Sequence, residues 1–333
     1  METSCKGKAY ARAGFLGNPS DGYFGKTIAV CVKNFYAEAE VRKSRTLEIR
    51  SGGLDRSVYT SLSALVKELN TYGYYGGVRL IKAAIKKFYD YCTGNKIAVE
   101  SKNFTVSYQS DIPRQLGLGG SSAIITAALR ALMRFYNVKI PLNILPSLIL
   151  EAEREELGIN AGFMDRVVQV FEGCVYMDLN KEILQSQGHG LYEELDPSLL
   201  PSLYLAYKPS LGKVSGKVLN DIRLGYERGD RFVRETLERI AEKAEIGKEA
   251  LKKRDYEHVK ILMNENFDLR SRIMKISRPN MEMIDTARRC GAAAKFAGSG
   301  GAVIGMYEDE KTFVRLKKEM EKIQAKVIKP IIG

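Results

Sequence analysis

Residues 111–123 read DIPRQLGLGGSSA and join a predicted strand (residues 104–109) to a predicted apolar helix (residues 124–135). Glycine permits positive φ and lets a ligand approach the backbone closely. The start of a helix offers unpaired N–H groups and partial positive charge. The stretch therefore predicts a phosphate-binding loop whose serine hydroxyls could hold a metal ion. A flexible turn followed by a serine N-cap is the alternative, and a Walker loop is excluded because no lysine precedes the serines.

The bulk composition is that of a globular protein with more than one domain. The chain has 333 residues, of which 45% are hydrophobic and 28% charged, and its length exceeds the usual size of a single core. It has no long apolar run and no apolar signal core near its start, so we expect no membrane association and no secretory signal. Its five cysteines are scattered and its two histidines lie far apart. We expect a reduced, cytoplasmic protein without a zinc site or a histidine-based triad.

The net charge of +12 is concentrated near the C terminus, since residues 201–333 hold 28 Lys and Arg but 19 Asp and Glu. Such a region could bind nucleic acid or attract anionic small molecules. The basic residues alternate with acidic ones along predicted helices, which is typical of solvated helix faces. We therefore expect no nucleic-acid partner, and a basic nucleic-acid-binding module is the non-enzymatic alternative.

The spacing of apolar residues predicts a mixture of strands and helices. Strands are expected at residues 8–17, 27–41, 46–50, 104–109, 174–179, 203–207, 293–296 and 302–307 and at the C terminus. Helices are expected at residues 60–70, 78–91, 124–135, 141–156, 214–227, 230–252, 255–274, 280–290 and 310–324. The polar stretch 181–201 contains glycines and prolines, and we place a domain boundary there, between residues 190 and 191.

Three further segments carry residues suited to phosphate chemistry. Arg12 could neutralise phosphate oxygens, and Asp21 in the following turn could accept hydrogen bonds from sugar hydroxyls. Glu153 and Asp165 flank a glycine-containing turn that could bring them to one pocket. One of these carboxylates could bind Mg²⁺, and the other could orient or deprotonate a hydroxyl. A second glycine-rich stretch, residues 298–301, could press its backbone against a phosphate site.

Each of these segments also has a simpler structural interpretation. Arg12 could lie on the surface and Asp21 could form an Asx turn. Glu153 is one of four glutamates within residues 151–156 and could lie on a helix surface. Asp165 could be a helix N-terminal acid, and residues 298–301 could form a wide hairpin.

The order of the segments resembles that of the GHMP kinases. Residues 12–17 (RAGFLG) are similar to the first motif of that family, and residues 113–123 are similar to its phosphate loop. Residues 161–165 (AGFMD) resemble the segment that carries its catalytic Asp. Residues 295–302 (KFAGSGGA) resemble its third motif, so the resemblance extends over about residues 8–305.

The resemblance implies an α+β fold with two GHMP kinase domains and a site between them. The N-terminal domain (residues 1–190) would carry the phosphate loop and a left-handed βαβ crossover, an exception to the usual handedness. The C-terminal domain (residues 191–333) would be a ferredoxin-like sheet covered by helices.

The resemblance also implies ATP and Mg²⁺ as cofactors and gives roles to individual residues. Asp165 would take or orient the proton of the acceptor hydroxyl, and Arg12 would neutralise charge on the γ-phosphate and keep Asp165 ionised. Glu153 would hold Mg²⁺ together with Ser122, with Ser121 as the alternative serine. The nucleotide-binding residues would be Gly117, Leu118, Gly119, Gly120, Ser121, Ser122 and Ala123. The third glycine motif would be Gly298, Ser299, Gly300 and Gly301.

Stretches outside the phosphate chemistry are similar to the glucuronokinase branch of the family. They are residues 16–21 (LGNPSD), 73–80 (GYYGGVRL), 112–115 (IPRQ), 165–170 (DRVVQV) and 263–270 (MNENFDLR). They imply a sugar acid substrate, D-glucuronate, phosphorylated at its anomeric hydroxyl. Asp21 would bind sugar hydroxyls, and Arg270 or Arg272 would bind the carboxylate. Another GHMP sugar kinase (for galacturonate, fucose or a heptose) and an inactive regulator are the alternatives, and the sequence predicts no oligomeric state.

Overall fold

The computed structural model describes residues 4–51, 56–74, 78–99, 102–213 and 219–333. The chain forms two compact units, each built from three separate segments. The first unit comprises the described residues up to Ala11, Phe35–Ile112 and Gly120–Ala161. The second unit comprises Arg12–Asn34, Pro113–Gly119 and Gly162–Gly333. The domain boundary expected between residues 190 and 191 stays a prediction.

The first unit contains strands and helices from the N-terminal half of the chain. Its strands are β3 (Leu47–Ser51), β4 (Arg56–Tyr59), β5 (Asn103–Ser110) and parts of β1 (Ser4–Leu16) and β2 (Lys26–Ser44). Its helices are α1 (Leu62–Tyr72), α2 (Arg79–Gly94), α3 (Gly120–Tyr136) and α4 (Leu145–Glu151), which continues as a π-helical turn, Ala152–Glu156. Residues 37–44 of β2 pair antiparallel with β5, whereas β3 pairs parallel with β5. That parallel pairing needs a crossover connection, whose handedness stays a prediction.

The core of the first unit forms where α2 and α3 pack together. The ring of Phe88 on α2 stacks on Tyr136 of α3 with the centroids 5.6 Å apart. Phe104 of β5 meets the same tyrosine edge-on at 6.1 Å. Aromatic pairs of this kind add to the stability that burial provides, and they anchor the helix that follows the glycine loop.

The second unit contains the remaining strands and helices. Its strands are β6 (Cys174–Asp178), β7 (Leu191–Leu195), β8 (Leu203–Tyr207), β9 (Lys295–Phe296), β10 (Ala302–Met306), β11 (Lys326–Ile328) and the remaining parts of β1 and β2. Its helices are α5 (Met164–Phe171), α6 (Lys181–Gln187), α7 (Leu219–Glu227), α8 (Arg231–Lys252), α9 (Tyr256–Ile273), α10 (Arg278–Arg289) and α11 (Glu310–Lys322). Residues 26–30 of β2 pair antiparallel with β6, which pairs antiparallel with β7.

The C-terminal strands form a four-stranded antiparallel sheet with the order β11-β8-β10-β9. Helices α7 to α10 connect its first two strands, and α11 connects its last two. This β-α-β-β-α-β order is that of a ferredoxin-like sheet. The predicted ferredoxin-like topology of the C-terminal region is therefore confirmed.

Short, exposed elements differ from the sequence prediction. No strand or helix was predicted within the polar stretch 181–201, where a domain boundary was placed, yet this stretch contains α6 and β7. Helix α6 buries none of its residues, and β7 buries Leu195. Such elements have little apolar periodicity to reveal them. Strand β4 was also missed. Residues 75–77 of the stretch 73–80 and residues 214–218 of the helix predicted at 214–227 lie outside the described residues.

Two further sequence expectations concern membranes and cysteines. None of the helices in the described ranges is both long enough and apolar enough to cross a bilayer. Cys5, Cys31, Cys92, Cys174 and Cys290 are free thiols. The cytoplasmic location stays a prediction.

Candidate active site

In the second unit, Arg12 and Gln169 hold the glycine loop that precedes α3 by donating hydrogen bonds to its carbonyl oxygens. The oxygen of Gly117 accepts a hydrogen bond from Arg12 Nη1 at 2.5 Å, and that of Leu118 accepts one from the Arg12 backbone N–H at 3.1 Å. The oxygen of Gly119 accepts one from Gln169 Nε2 at 2.8 Å. In a trans peptide the N–H points away from the carbonyl. The N–H groups that follow these carbonyls therefore point away from Arg12 and Gln169, as binding of an anion requires.

Glycine is required at two positions of this loop. Gly117 and Gly119 have φ values of +66° and +74°. Residues that carry a side chain rarely adopt such positive φ values. A methyl group at Gly119 would also lie 2.9 Å from Gln169 Nε2 and 3.1 Å from Arg12 Cγ. The backbone of Gly119 thus lies directly against these two side chains.

The third glycine motif lies against the same loop. A methyl group on Gly117 would lie 2.8 Å from the backbone nitrogen of Ser299, and one on Gly298 would overlap the carbonyl oxygen of Gly117. Gly300 and Gly301 have positive φ, and the Gly301 N–H donates to Asn280 Oδ1 at 2.9 Å. The two glycine stretches are therefore in direct backbone contact.

Arg12 and Asp165 form a shielded ion pair. Arg12 Nη2 lies 2.5 Å from Asp165 Oδ2, and the two side chains are 6% and 15% exposed. Burial alone would raise the pKa of Asp165, but the charges of Arg12 and Arg166 hold it below its usual value. Asp165 is therefore ionised at neutral pH. In the part of the chain that the structure describes, the buried Nε of Arg12 has no hydrogen-bond partner.

Asp21 belongs to the same cluster through the start of α5. Its Oδ2 accepts a hydrogen bond from the Met164 backbone N–H at 3.2 Å. Burial and then the negative charge of Asp165 raise the pKa of Asp21 to about 6. Asp21 therefore changes its protonation state just below neutral pH.

The two arginines predicted to bind a carboxylate lie in different surroundings on α9. Arg270 is 2% exposed and donates to the Gly298 carbonyl oxygen at 2.8 Å. Burial lowers the pKa of Arg270 to about 10, which leaves it charged at neutral pH. Arg272 is exposed to solvent. The binding of a carboxylate by either arginine stays a prediction.

Lys295, at the start of the third motif, is a buried amine that donates to neutral oxygens. Its Nζ donates to the Gly14 carbonyl at 2.7 Å, to Asn18 Oδ1, and to the Phe296 carbonyl at 3.1 Å. Burial, followed by the charges of Arg270 and Arg12, lowers its pKa well below the usual value. Lys295 thereby ties the third motif to the turn between Arg12 and Asp21.

The cluster around Asp165 carries more basic than acidic side chains. Its buried basic residues are Arg12, Arg166, Arg270 and Lys295. All four interact electrostatically with Asp21, and Arg12 and Arg166 also interact with Asp165. An excess of positive charge in a shielded site favours an anionic ligand.

A second cluster lies in the first unit, at the start of α3. Ser121 Oγ donates to Glu153 Oε1 at 2.6 Å, and Glu153 and Ser122 are both fully buried. Glu153 lies on the π-helical turn that follows α4, and such turns are frequent at functional sites. The alternative serine, Ser121, thus contacts the predicted metal ligand.

The oxygen donors of the Ser121–Glu153 cluster suit Mg²⁺. This ion prefers hard oxygen ligands, keeps several waters and takes one or two carboxylates from the protein. Within the described ranges, no group of three or more His, Cys, Asp and Glu side chains is arranged to hold a metal. A hydroxyl beside one buried carboxylate is nevertheless a sufficient donor set for an ion that also binds phosphate.

Sequence reasoning gave no role to two polar residues that hold the site. Gln169 is buried and binds Gly119, and its spacing of four residues from Asp165 on α5 could have revealed a shared face. Asn266 of α9 is also buried, accepts from the Gly17 N–H at 2.8 Å and donates to the Asn18 carbonyl at 3.1 Å. A buried polar side chain within an apolar helix face was the available signal.

Two models of one protein family match this chain. The family model described as the N-terminal domain of GHMP kinases matches residues 79–173. The model described as the GHMP kinase C-terminal region matches residues 248–326. The two matched regions include α3 with Ser121, Glu153, Asp165 and the third glycine motif.

Two curated relatives come from Arabidopsis thaliana. Probable glucuronokinase 2 is 45% identical to this chain over 97% of the chain and 90% of the relative. Glucuronokinase 1 is 44% identical over 94% of the chain and 87% of the relative.

Solved structures share the fold at low sequence identity. The galactokinase of Lactococcus lactis superposes with a TM-score of 0.80 at 15% identity and covers 99% of this chain and 94% of its own. The mevalonate kinase of Methanococcus jannaschii gives a TM-score of 0.75 at 18% identity, covering 100% and 99%. The predicted α+β two-domain GHMP kinase fold is thereby confirmed. The chain therefore belongs to the GHMP kinase family of ATP-using phosphotransferases and is glucuronokinase-like in sequence.

Proposed function

We propose that the chain transfers the γ-phosphoryl group of ATP to the anomeric hydroxyl of D-glucuronate and produces D-glucuronate 1-phosphate and ADP. The γ-phosphorus loses its bond to the bridging oxygen of ATP and gains one to the anomeric oxygen, whose proton leaves. The names of both Arabidopsis relatives support this reaction. The observation that carries the proposal is the shielded Arg12–Asp165 pair.

Asp165 accepts or orients the proton of the anomeric hydroxyl. Its carboxylate is kept ionised by Arg12, so it can accept a hydrogen bond from a hydroxyl donor at neutral pH. General-base assistance adds to the larger contribution of positioning and charge neutralisation in phosphoryl transfer.

Arg12 neutralises charge that develops on the transferred phosphoryl group. Its Nη atoms bind Asp165 and Gly117, while its buried Nε has no partner among the residues described. A phosphate oxygen would satisfy that nitrogen and remove the cost of leaving it unpaired. The loop of Gly117–Ser122 binds the ATP phosphates through its backbone N–H groups.

Glu153 and a loop serine would hold Mg²⁺, which would supply charge neutralisation at the phosphates. We favour Ser121, because its hydroxyl already contacts Glu153, and Ser122 is the alternative. The chemistry of the donors supports this assignment, since a carboxylate and a hydroxyl are both hard oxygen ligands.

The charge of the Asp165 cluster supports an acidic sugar as the acceptor. Its three buried arginines, Arg12, Arg166 and Arg270, exceed its two carboxyl groups, and the carboxylate of glucuronate would reduce this excess. Asp21 would bind sugar hydroxyls, and Arg270 or Arg272 would bind the carboxylate.

An ATP-consumption screen tests the substrate. Purified protein is incubated with ATP, Mg²⁺ and one of D-glucuronate, D-galacturonate, glucose, fucose or a heptose, and ADP formation is measured. We expect the largest kcat/KM with D-glucuronate and little turnover of glucose, which lacks the carboxylate. Preference for a neutral sugar would contradict the acidic substrate, and preference for galacturonate would correct the sugar.

A further inference from the structure

Residues 151–156, at the end of α4 and in the π-helical turn that follows it, contain four glutamates. These glutamates contact different partners. Glu153 Oε1 accepts from Ser121 Oγ on α3 at 2.6 Å. Glu156 and Glu155 instead pair with lysines of α2. Glu156 Oε1 lies 2.6 Å from Lys86 Nζ, and Glu155 Oε2 lies 2.5 Å from Lys87 Nζ.

The π-helical turn separates two carboxylates that a regular helix would keep together. In an α-helix, residues three apart share a face, so Glu153 and Glu156 would lie on one side. The turn Ala152–Glu156 widens the helix. Glu153 contacts α3, whereas Glu156 contacts α2.

The lysines of α2 contact both ends of the turn. Lys87 Nζ lies 3.5 Å from Glu151 Oε2, which precedes the turn, and 3.6 Å from Glu156 Oε1 at its end. Lys86 and Glu156 are 14% and 12% exposed. The Tyr74 hydroxyl donates to the second oxygen of Glu156 at 2.7 Å. Glu156 thus has a partner on each carboxylate oxygen. Removing one member of a shielded ion pair leaves the charge of the other uncompensated, which destabilises the local structure.

We propose that Lys86 and Lys87 are positioning residues that hold the π-helical turn and thereby direct Glu153 toward Ser121. They act through Glu153 and need not touch the metal. The inference rests on the proposed role of Glu153 in binding Mg²⁺. Partners that orient a metal ligand commonly contribute a factor of about 10–100 to metal affinity, so the affinity of the site for Mg²⁺ depends on α2.

Two measurements test this inference: the affinity for Mg²⁺ in the presence of a non-hydrolysable ATP analogue, determined by calorimetry, and the free Mg²⁺ concentration that gives half-maximal rate. The double variant Lys86→Met/Lys87→Met keeps most of the length of both side chains and removes their charges. We expect its half-saturating Mg²⁺ concentration to rise about 10-fold, with kcat at saturating Mg²⁺ close to that of the unaltered protein. A folded double variant with a lower kcat at every Mg²⁺ concentration and an unchanged affinity for Mg²⁺ would contradict the inference.

Lys248→Met is the matched control. Lys248 is a shielded helix lysine, 17% exposed, that lies 2.9 Å from Glu193 in the second unit. Its variant should titrate with Mg²⁺ like the unaltered protein. Lys86→Met alone keeps the pairs of Lys87 and should show a smaller shift in the same direction, so it serves if the double variant does not fold.

Glu153→Gln, measured alongside, separates the two possible failures. If it shifts the Mg²⁺ titration while the folded lysine variants titrate normally, the positioning inference is overturned and the proposed metal site remains. If Glu153→Gln itself titrates normally, the proposed metal role fails and the inference fails with it. A shift in both Glu153→Gln and the lysine variants supports the inference.

Discussion

The Arg12–Asp165 cluster and the Ser121–Glu153 cluster each contain a shielded carboxylate with a different neighbour. Asp165 faces a guanidinium 2.5 Å away that lowers its pKa. Glu153 faces a neutral hydroxyl 2.6 Å away. A carboxylate held ionised by a fixed cation is suited to orient a reacting hydroxyl, and a carboxylate beside a hydroxyl is suited to bind a hard metal ion.

Removing the carboxylate of Asp165 should have the largest effect. Asp165→Asn keeps the size of the side chain but can no longer accept a proton, and we expect kcat to fall by about 10²–10⁴. Steady-state kinetics measure the change, and a binding assay for ATP checks that the nucleotide still binds. Turnover close to that of the unaltered protein would exclude Asp165 as the base.

Removing the charge of Arg12 should have the next largest effect, and it should change the pH dependence. We expect Arg12→Met to lower kcat by about 10²–10³, the usual cost of losing one charge-stabilising donor. Arg12 holds the pKa of Asp165 below its usual value against burial. In its absence that pKa rises, and the acidic limb of the kcat profile should move to higher pH.

Arg166→Met is the control for this shift. Arg166 Nη1 lies 3.5 Å from Asp165 Oδ2, whereas Arg12 Nη2 lies at 2.5 Å. The acidic limb should therefore move less in Arg166→Met than in Arg12→Met. If the acidic limb stays in place in both variants, ionisation of Asp165 is not the cause of the fall of kcat at low pH.

The second cluster can be sharpened by comparing its two serines. Ser121→Ala removes the hydroxyl that contacts Glu153, and we expect the half-saturating Mg²⁺ concentration to rise about 10-fold. Ser122→Ala should raise it less. A larger increase of the half-saturating Mg²⁺ concentration in Ser122→Ala than in Ser121→Ala would instead identify Ser122 as the metal ligand.

The smallest effect concerns the sugar rather than the phosphate. A methyl group at Gly162 would overlap Oδ2 of Asp21, whereas one at Gly22 meets open space. Gly162→Ala should raise KM for the sugar about 3- to 10-fold, the worth of one hydrogen bond, with kcat nearly unchanged. Gly22→Ala is the control and should leave KM unaltered. Equal KM values for the sugar in Gly162→Ala and Gly22→Ala would contradict the proposal that Asp21 binds the sugar.

The sequence predicted much of the fold because long amphipathic elements carry a clear period. Helix α8 was expected at residues 230–252 and spans Arg231–Lys252. The seven-residue helix α6 and the strand β7 were missed, because they bury too few side chains to impose a period. The π-helical turn at Glu153 was missed too, since its residues continue the helical pattern of α4.

The candidate site was predictable as separate residues and less so as contacts. Glycine motifs and isolated acids are visible in the sequence, so Arg12, Asp21, Glu153 and Asp165 were all named from it. Their partners depend on tertiary structure. The bond from Gln169 to Gly119 joins residues 50 positions apart, and no local spacing predicts it.

A Mg²⁺ titration of Glu153→Gln and Asp165→Asn, measured together with ATP and D-glucuronate, tests most directly that the two clusters do different work. We expect excess Mg²⁺ to restore most of the rate of Glu153→Gln and to leave Asp165→Asn inactive at every concentration. Recovery of Asp165→Asn by Mg²⁺, with no recovery of Glu153→Gln, would contradict the assignment of proton transfer to one cluster and metal binding to the other.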